Sequence, residues 1–137
     1  MKIHLLLLSM LTGFLLHAQN TPLVVIGNGG VTKMTIADLK SVFKGEKVMW
    51  TNTSLALMKS TTEPGKSTCL KVYQMSCDGV TKFWVSKAFE GKSATFFNSI
   101  GELQAFVAAT PGAIGIIDQS ALIRGVHVIL IDGKGTF

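Results

Sequence analysis

Leu55-Ala56-Leu57-Met58 and, two residues on, Thr61-Thr62-Glu63-Pro64-Gly65-Lys66-Ser67-Thr68 decide the architecture. Four apolar residues between polar flanks read as a short buried strand. Thr61 to Gly65 reads as a polar turn containing Pro64, and a helix is expected to begin near Ser67. Its inward face is either Leu70 and Tyr73 or Cys69, Tyr73 and Cys77. A strand that passes through a polar turn into a helix is the unit of an α/β fold.

The flanking sequence repeats that unit. Upstream, Leu23 to Ile26 is a β-branched apolar run that stops at Gly27-Asn28-Gly29-Gly30, a strand followed by a loop that would face a ligand. Thr35 offers a cap, and Ile36, Leu39, Val42 and Phe43 recur at helical spacing until Gly45. Downstream, Phe83, Trp84 and Ala88 mark a helix from about Val80 that ends at Gly91. Ser99 caps another helix, carrying Ile100, Leu103, Phe106 and Val107, which Pro111-Gly112 closes. Ala113 to Ile117 and Val126 to Ile131 are apolar strands, the last interrupted only by His127. Strands interleaved with helices predict one α/β domain over residues 20–137, a mostly parallel or mixed sheet flanked by helices.

The first residues have a different character. Met1-Lys2-Ile3-His4 precedes a run from Leu5 to Leu16 broken only by Ser9, Thr12 and Gly13, and a small residue follows at Ala18. A basic start, an apolar stretch of about a dozen residues and a small residue near the cut make a signal peptide over residues 1–19, since a membrane span needs roughly 20 apolar residues. Its removal from 137 residues leaves 118, enough for one core. No later segment reaches spanning length. The mature chain is expected to be soluble and periplasmic or secreted, without a lipid anchor, because no cysteine stands at the cut. It carries 12 basic and 8 acidic residues, a formal charge of +4. Lys40, Lys44 and Lys47, and Lys59, Lys66 and Lys71, are spread rather than clustered, so nucleic acid is not an expected partner.

Several chemistries lack their parts. His127 is the one histidine of the mature chain, too few ligands for a metal site. No glycine-x-serine-x-glycine elbow is present, and Cys69 and Cys77 lack the two-residue spacing of a redox pair. On one continuous helix those cysteines would stand about 12 Å apart, so a bridge requires the helix to end between them. Two buried thiols are therefore expected. Asp118 reads as a turn or cap residue. Trp50, Trp84, Phe43, Phe83, Phe89, Phe96 and Phe97 are read as core. No cofactor and no enzymatic activity are expected.

The Thr61–Thr68 turn carries the remaining chemistry, and two readings stand. Free N–H groups at a helix start attract an oxyanion, Gly65 lets a ligand approach the backbone, and Lys66, Ser67 and Thr68 add a charge and two hydroxyls. Alternatively, Ser67 or Thr68 simply caps the helix. A nucleotide-binding P-loop is excluded, because Ser60 stands where its first glycine is required.

Two further segments carry a resemblance. Met34-Thr35-Ile36-Ala37-Asp38-Leu39-Lys40-Ser41-Val42-Phe43-Lys44-Gly45 with Trp50, and Ala108-Ala109-Thr110-Pro111-Gly112-Ala113-Ile114-Gly115-Ile116, flank the turn in the order seen in phosphate-transporter periplasmic solute-binding proteins. The chain resembles that family in a single-lobe form. The resemblance implies a periplasmic-binding-protein-like domain with weak binding of inorganic phosphate or a similar oxyanion. The ligand-binding candidates are Gly65, Lys66, Ser67, Thr68, Thr62, Glu63 and Asn28. Glu63 would either accept the proton of a hydrogen phosphate or repel the anion. Full-length members clamp the ligand between two lobes, whereas this length holds about one, so a dissociation constant of roughly millimolar order is expected. The alternative is an envelope interaction or assembly module, with a protein partner or a second copy covering the open edge.

Overall fold

A computed structural model describes residues 21–48, 50, 52–118 and 122–137; the expected signal segment lies outside the described residues. In chain order the elements are β1 (Val24–Gly27), β2 (Lys33–Met34), α1 (Ile36–Phe43), β3 (Ser54–Met58) and α2 (Glu63–Thr68). A π-helical turn, Cys69–Tyr73, continues α2. Then come α3 (Cys77–Ala88), β4 (Thr95–Phe97), α4 (Ile100–Ala109), β5 (Ala113–Ile117) and β6 (His127–Ile131). The short strands β2 and β4 were not among the expected elements.

One sheet of six strands runs in the order β2-β6-β1-β5-β3-β4. β3 is parallel to both β4 and β5, and β2 is parallel to β6. β1 runs against its two neighbours, β5 and β6. The sheet is thus mixed, with one inverted strand near its centre.

Alternation along the strands divides the apolar residues between two layers. Val25, Leu55, Leu57, Ile114 and Ile116 join the core beneath α1, the π-turn and α3. Val24, Ile26, Ala56, Met58, Ala113 and Ile117 join the core beneath α4, where Leu103 and Val107 complete it. Each fully buried Leu or Ile contributes roughly 1.5–3 kcal/mol. α4 sits unusually close, because a Cβ on Gly115 would meet Leu103 Cδ2 at 2.7 Å.

The expected caps form. Thr35 Oγ1 accepts from the Asp38 amide at 3.1 Å, and Ser99 Oγ accepts from the Glu102 amide at 3.2 Å. The core assignment holds for Phe43 and Trp84 and fails for Phe89 and Phe96, which are 91% and 37% exposed.

The cysteine expectation is overturned. Cys69 and Cys77 are joined by a disulfide with their Cα atoms 5.3 Å apart. The condition for a bridge is met at an unexpected place. Gln74 adopts a left-handed conformation at φ 56°, which stops the helix, and Ser76 caps α3 through the Gly79 amide. α3 therefore starts at Cys77 rather than near Val80. Such a bridge typically contributes about 2–4 kcal/mol.

Tyr73 ties the larger core together. Its hydroxyl donates to the Phe43 carbonyl at 2.8 Å and accepts from Trp84 Nε1 at 3.1 Å. Burial raises its pKa well above the ordinary phenol range. A raised acid pKa means stability that is complete below the unfolded value of about 10 and is lost as pH climbs through the folded one. Tyr73→Phe leaves the Phe43 carbonyl and the Trp84 N–H unpaired and should cost about 1–3 kcal/mol in urea unfolding. The chain has a single tyrosine, so ultraviolet titration reads Tyr73 alone. Ionisation is expected only together with alkaline unfolding; ionisation of the folded protein near pH 10 would contradict this placement.

Candidate functional site

β3, β4 and β5 share one direction, so Met58, Phe97 and Ile117 end at the same edge of the sheet. At that edge the chain leaves β3, turns through residues 59–62 and enters α2. The Lys59 amide donates to the Phe97 carbonyl at 2.9 Å, which holds the turn against β4. The Lys59 carbonyl accepts from the Thr62 amide at 3.0 Å and from Thr62 Oγ1 at 2.7 Å. Thr62 Oγ1 in turn accepts from the Gly65 amide at 3.1 Å, and the Thr62 carbonyl accepts from the Lys66 amide at 3.0 Å.

Thr62 is therefore the cap, and α2 begins at Glu63, four residues before the expected start at Ser67. Pro64 at a first-turn position explains the shift, since its ring is already set for helix and its missing N–H costs nothing there. Ser67 and Thr68 consequently lie in the second turn, 8% and 3% exposed, and Thr68 Oγ1 donates to the Pro64 carbonyl at 2.7 Å. Neither hydroxyl stands at the helix mouth.

Gly65 also has a different role from the one expected. A Cβ at this position would overlap the Lys59 carbonyl and lie 2.8 Å from the Met58 carbonyl oxygen. The close approach that glycine permits is made by the chain's own backbone. Lys66 Nζ lies 3.4 Å from Glu63 Oε1, both side chains being exposed, a pair worth little in water. Glu63 is thus held beside a cation at the start of the helix.

Asn28 is at the far edge. β1 is inverted, so Gly27 pairs with Ile114 and His127, at the beginnings of β5 and β6. Asn28 Nδ2 donates to the carbonyls of Val107 and Ala108, both at 3.0 Å, closing the end of α4. Its backbone exchanges bonds with Ala113 and Gly112. It is a structural peg and shares no site with the turn.

Sequence reasoning passed over Ser60 and Thr61 as possible donors. Both are exposed, and among the described residues their backbone N–H groups, with that of Glu63, make no hydrogen bond. The pattern Ser-Thr-Thr-Glu-Pro held a signal, a capping residue directly before an acidic residue and proline. A cavity of about 520 Å³ opens beside the turn, between α3 and the β3–β4 edge.

Gly65→Ala is expected to destabilise the protein by about 1–3 kcal/mol, because the Lys59 carbonyl has nowhere to go. Gly101→Ala, on α4 with open space around it, is the control and should be neutral or slightly stabilising. Equal unfolding midpoints for the two variants would contradict the packing described.

No family model matches the chain, and no curated protein matches it in sequence. Solved structures do match in fold. An ABC-type phosphate transport receptor from Vibrio cholerae superposes with a TM-score of 0.61 at 14% identity, over 85% of this chain and 48% of the receptor. A protein assigned as the substrate-binding component of a phosphate ABC transporter from Clostridium perfringens, solved with bound phosphate, gives 0.62 at 15% identity, over 82% and 46%. The chain spans about half the length of these neighbours. It has a periplasmic-binding-protein-like α/β fold of single-lobe size.

Proposed function

We propose that this chain is an exported solute-binding-like module that holds phosphate or a similar oxyanion weakly on the outer side of the β3–α2 turn. The observation that carries this reading is that Ser60, Thr61 and Glu63 are exposed residues whose backbone N–H groups have no hydrogen-bond partner among the described residues. Unpaired amides in a strand-to-helix turn, together with the lysines Lys59 and Lys66 of the same stretch, attract an anion. Thr62, Gly65, Ser67 and Thr68 shape the turn instead of touching the ligand. The phosphate named for both structural neighbours supports the choice of anion, and a contribution to phosphate uptake is part of the proposal. No catalytic step is assigned.

Weak affinity follows from exposure. A ligand seated on one face stays hydrated on the other, and its charge is screened within about 8 Å at physiological salt. Export is supported by the pattern of residues 1–19 and by the Cys69–Cys77 bridge, which persists in oxidising compartments.

Titration with inorganic phosphate at tens of millimolar, followed by amide NMR, should move Ser60, Thr61 and Glu63 and leave Asn28 unmoved. Unperturbed turn amides would end the oxyanion reading. Lys66→Ala should weaken phosphate binding severalfold with little change in melting temperature, since its ion pair is exposed.

A second reading, an envelope interaction or assembly module, is favoured by one observation: Val85 and Phe96 leave apolar surface exposed beside the turn. A partner chain or a second copy would then cover the edge that a second lobe covers in a two-lobed protein. Size-exclusion chromatography with light scattering, together with capture from envelope extracts, tests it. A strict monomer that retains no defined partner counts against this role.

A further inference from the structure

The cavity beside the turn has a polarity pattern that inorganic phosphate alone does not use. Its walls are Val80, Trp84, Val85 and Ala88 of α3, Phe96 of β4 and the Cys69–Cys77 bridge. Val85 and Phe96 are 60% and 37% exposed, so apolar surface is left facing water here. The polar lining is confined to one stretch, Lys59, Ser60 and Thr61, apart from Thr81, whose hydroxyl is already given to the Cys77 carbonyl at 3.1 Å. The volume, about 520 Å³, falls among those of small-molecule sites and is mostly apolar, as such sites are.

We infer that this cavity receives a free single-chain amphiphile, its apolar chain lying between α3 and β4 and its anionic head, a phosphate monoester or a carboxylate, on Lys59, Ser60 and Thr61. Charge decides the sign of the head. Among the described residues Lys59 pairs with no carboxylate, and the nearest acid in sequence, Glu63, is engaged by Lys66. Position decides the shape of the ligand, because among the described residues that line the cavity the uncommitted polar groups lie together in the turn. The bridge supports the site by fixing the start of α3 to the π-turn, so the wall does not depend on the ligand for its place. Each methylene removed from water strengthens binding about fourfold, so even a partly buried chain outweighs the contribution of an exposed head. The head assignment rests on the oxyanion reading above; the cavity does not.

The test uses the mature chain with four probes below their micellar concentrations: dodecyl phosphate, dodecanoate, dodecanol and inorganic phosphate. Dodecyl phosphate and dodecanoate should bind at least tenfold more tightly than inorganic phosphate, with NMR shifts at Val80, Trp84, Val85 and Phe96 as well as at the turn. Lys59→Glu should weaken both anions about tenfold and leave dodecanol unchanged. Val85→Asn, a neutral polar change at an exposed position, should abolish the gain from the alkyl chain without altering binding of inorganic phosphate. Equal affinity of dodecyl phosphate and inorganic phosphate, with shifts confined to the turn, overturns this inference and leaves the oxyanion reading standing. Dodecanol binding as tightly as the anions overturns the anionic head. Cosedimentation with anionic vesicles, without binding of the monomeric amphiphiles, assigns the surface to a membrane and also overturns it.

Discussion

The Lys59 carbonyl oxygen organises the passage from β3 into α2. It receives both the backbone N–H and the hydroxyl of Thr62, and the same hydroxyl receives the Gly65 amide. A relay of this kind fixes where the helix begins and in what direction it points, and it leaves no space for a side chain at Gly65. The Lys59 amide acts on the other side, donating to Phe97 and holding β4 alongside, while Ser60 and Thr61 are exposed with their amides unpaired. Both polar groups of one peptide residue thus hold the turn, the oxygen towards α2 and the nitrogen towards β4.

Much of the architecture was legible because burial leaves a direct mark on composition. The apolar runs at residues 55–58 and 113–117 became buried strands, and Thr35 and Ser99 became caps, since both signals are local. The inversion of β1 was not legible: four apolar residues pair equally well in either direction, and only the rest of the sheet chooses. β2 and β4 escaped notice because two or three residues are too few for a periodic pattern. The break between Cys69 and Cys77 was not legible either, because it occurs at Gln74, where a non-glycine residue accepts a left-handed backbone. Without that break the two cysteines sit on one helix, too far apart to be bridged.

The turn after β3 was legible as a passage from strand to helix, whereas the structural roles of its residues were not. Gly65, Ser67 and Thr68 have the residue types of an anion turn, but each is used by the protein itself: for a backbone approach, for burial, and for a bond to the Pro64 carbonyl. Asn28 offered the right amide group on the wrong edge, a consequence of the same inverted strand. The groups left unbonded in the turn are backbone N–H donors, whose chemistry is common to every residue, and no residue letter announces that they are free. Their availability depends on distances to atoms many positions away.

Lys71, at the other side of the π-turn, has a consequence of its own. Its ammonium donates to the carbonyls of Thr21 and Phe137 at 2.8 and 3.2 Å, and Leu23 and Phe137 exchange both backbone hydrogen bonds. Partial burial lowers its pKa. Residues so distant in the chain but adjacent in space form a closed seam, which is the geometry that circular permutation exploits. A short peptide joining position 137 to position 21, with new termini opened in the exposed stretch around Gly91, should therefore preserve every strand pairing of the sheet.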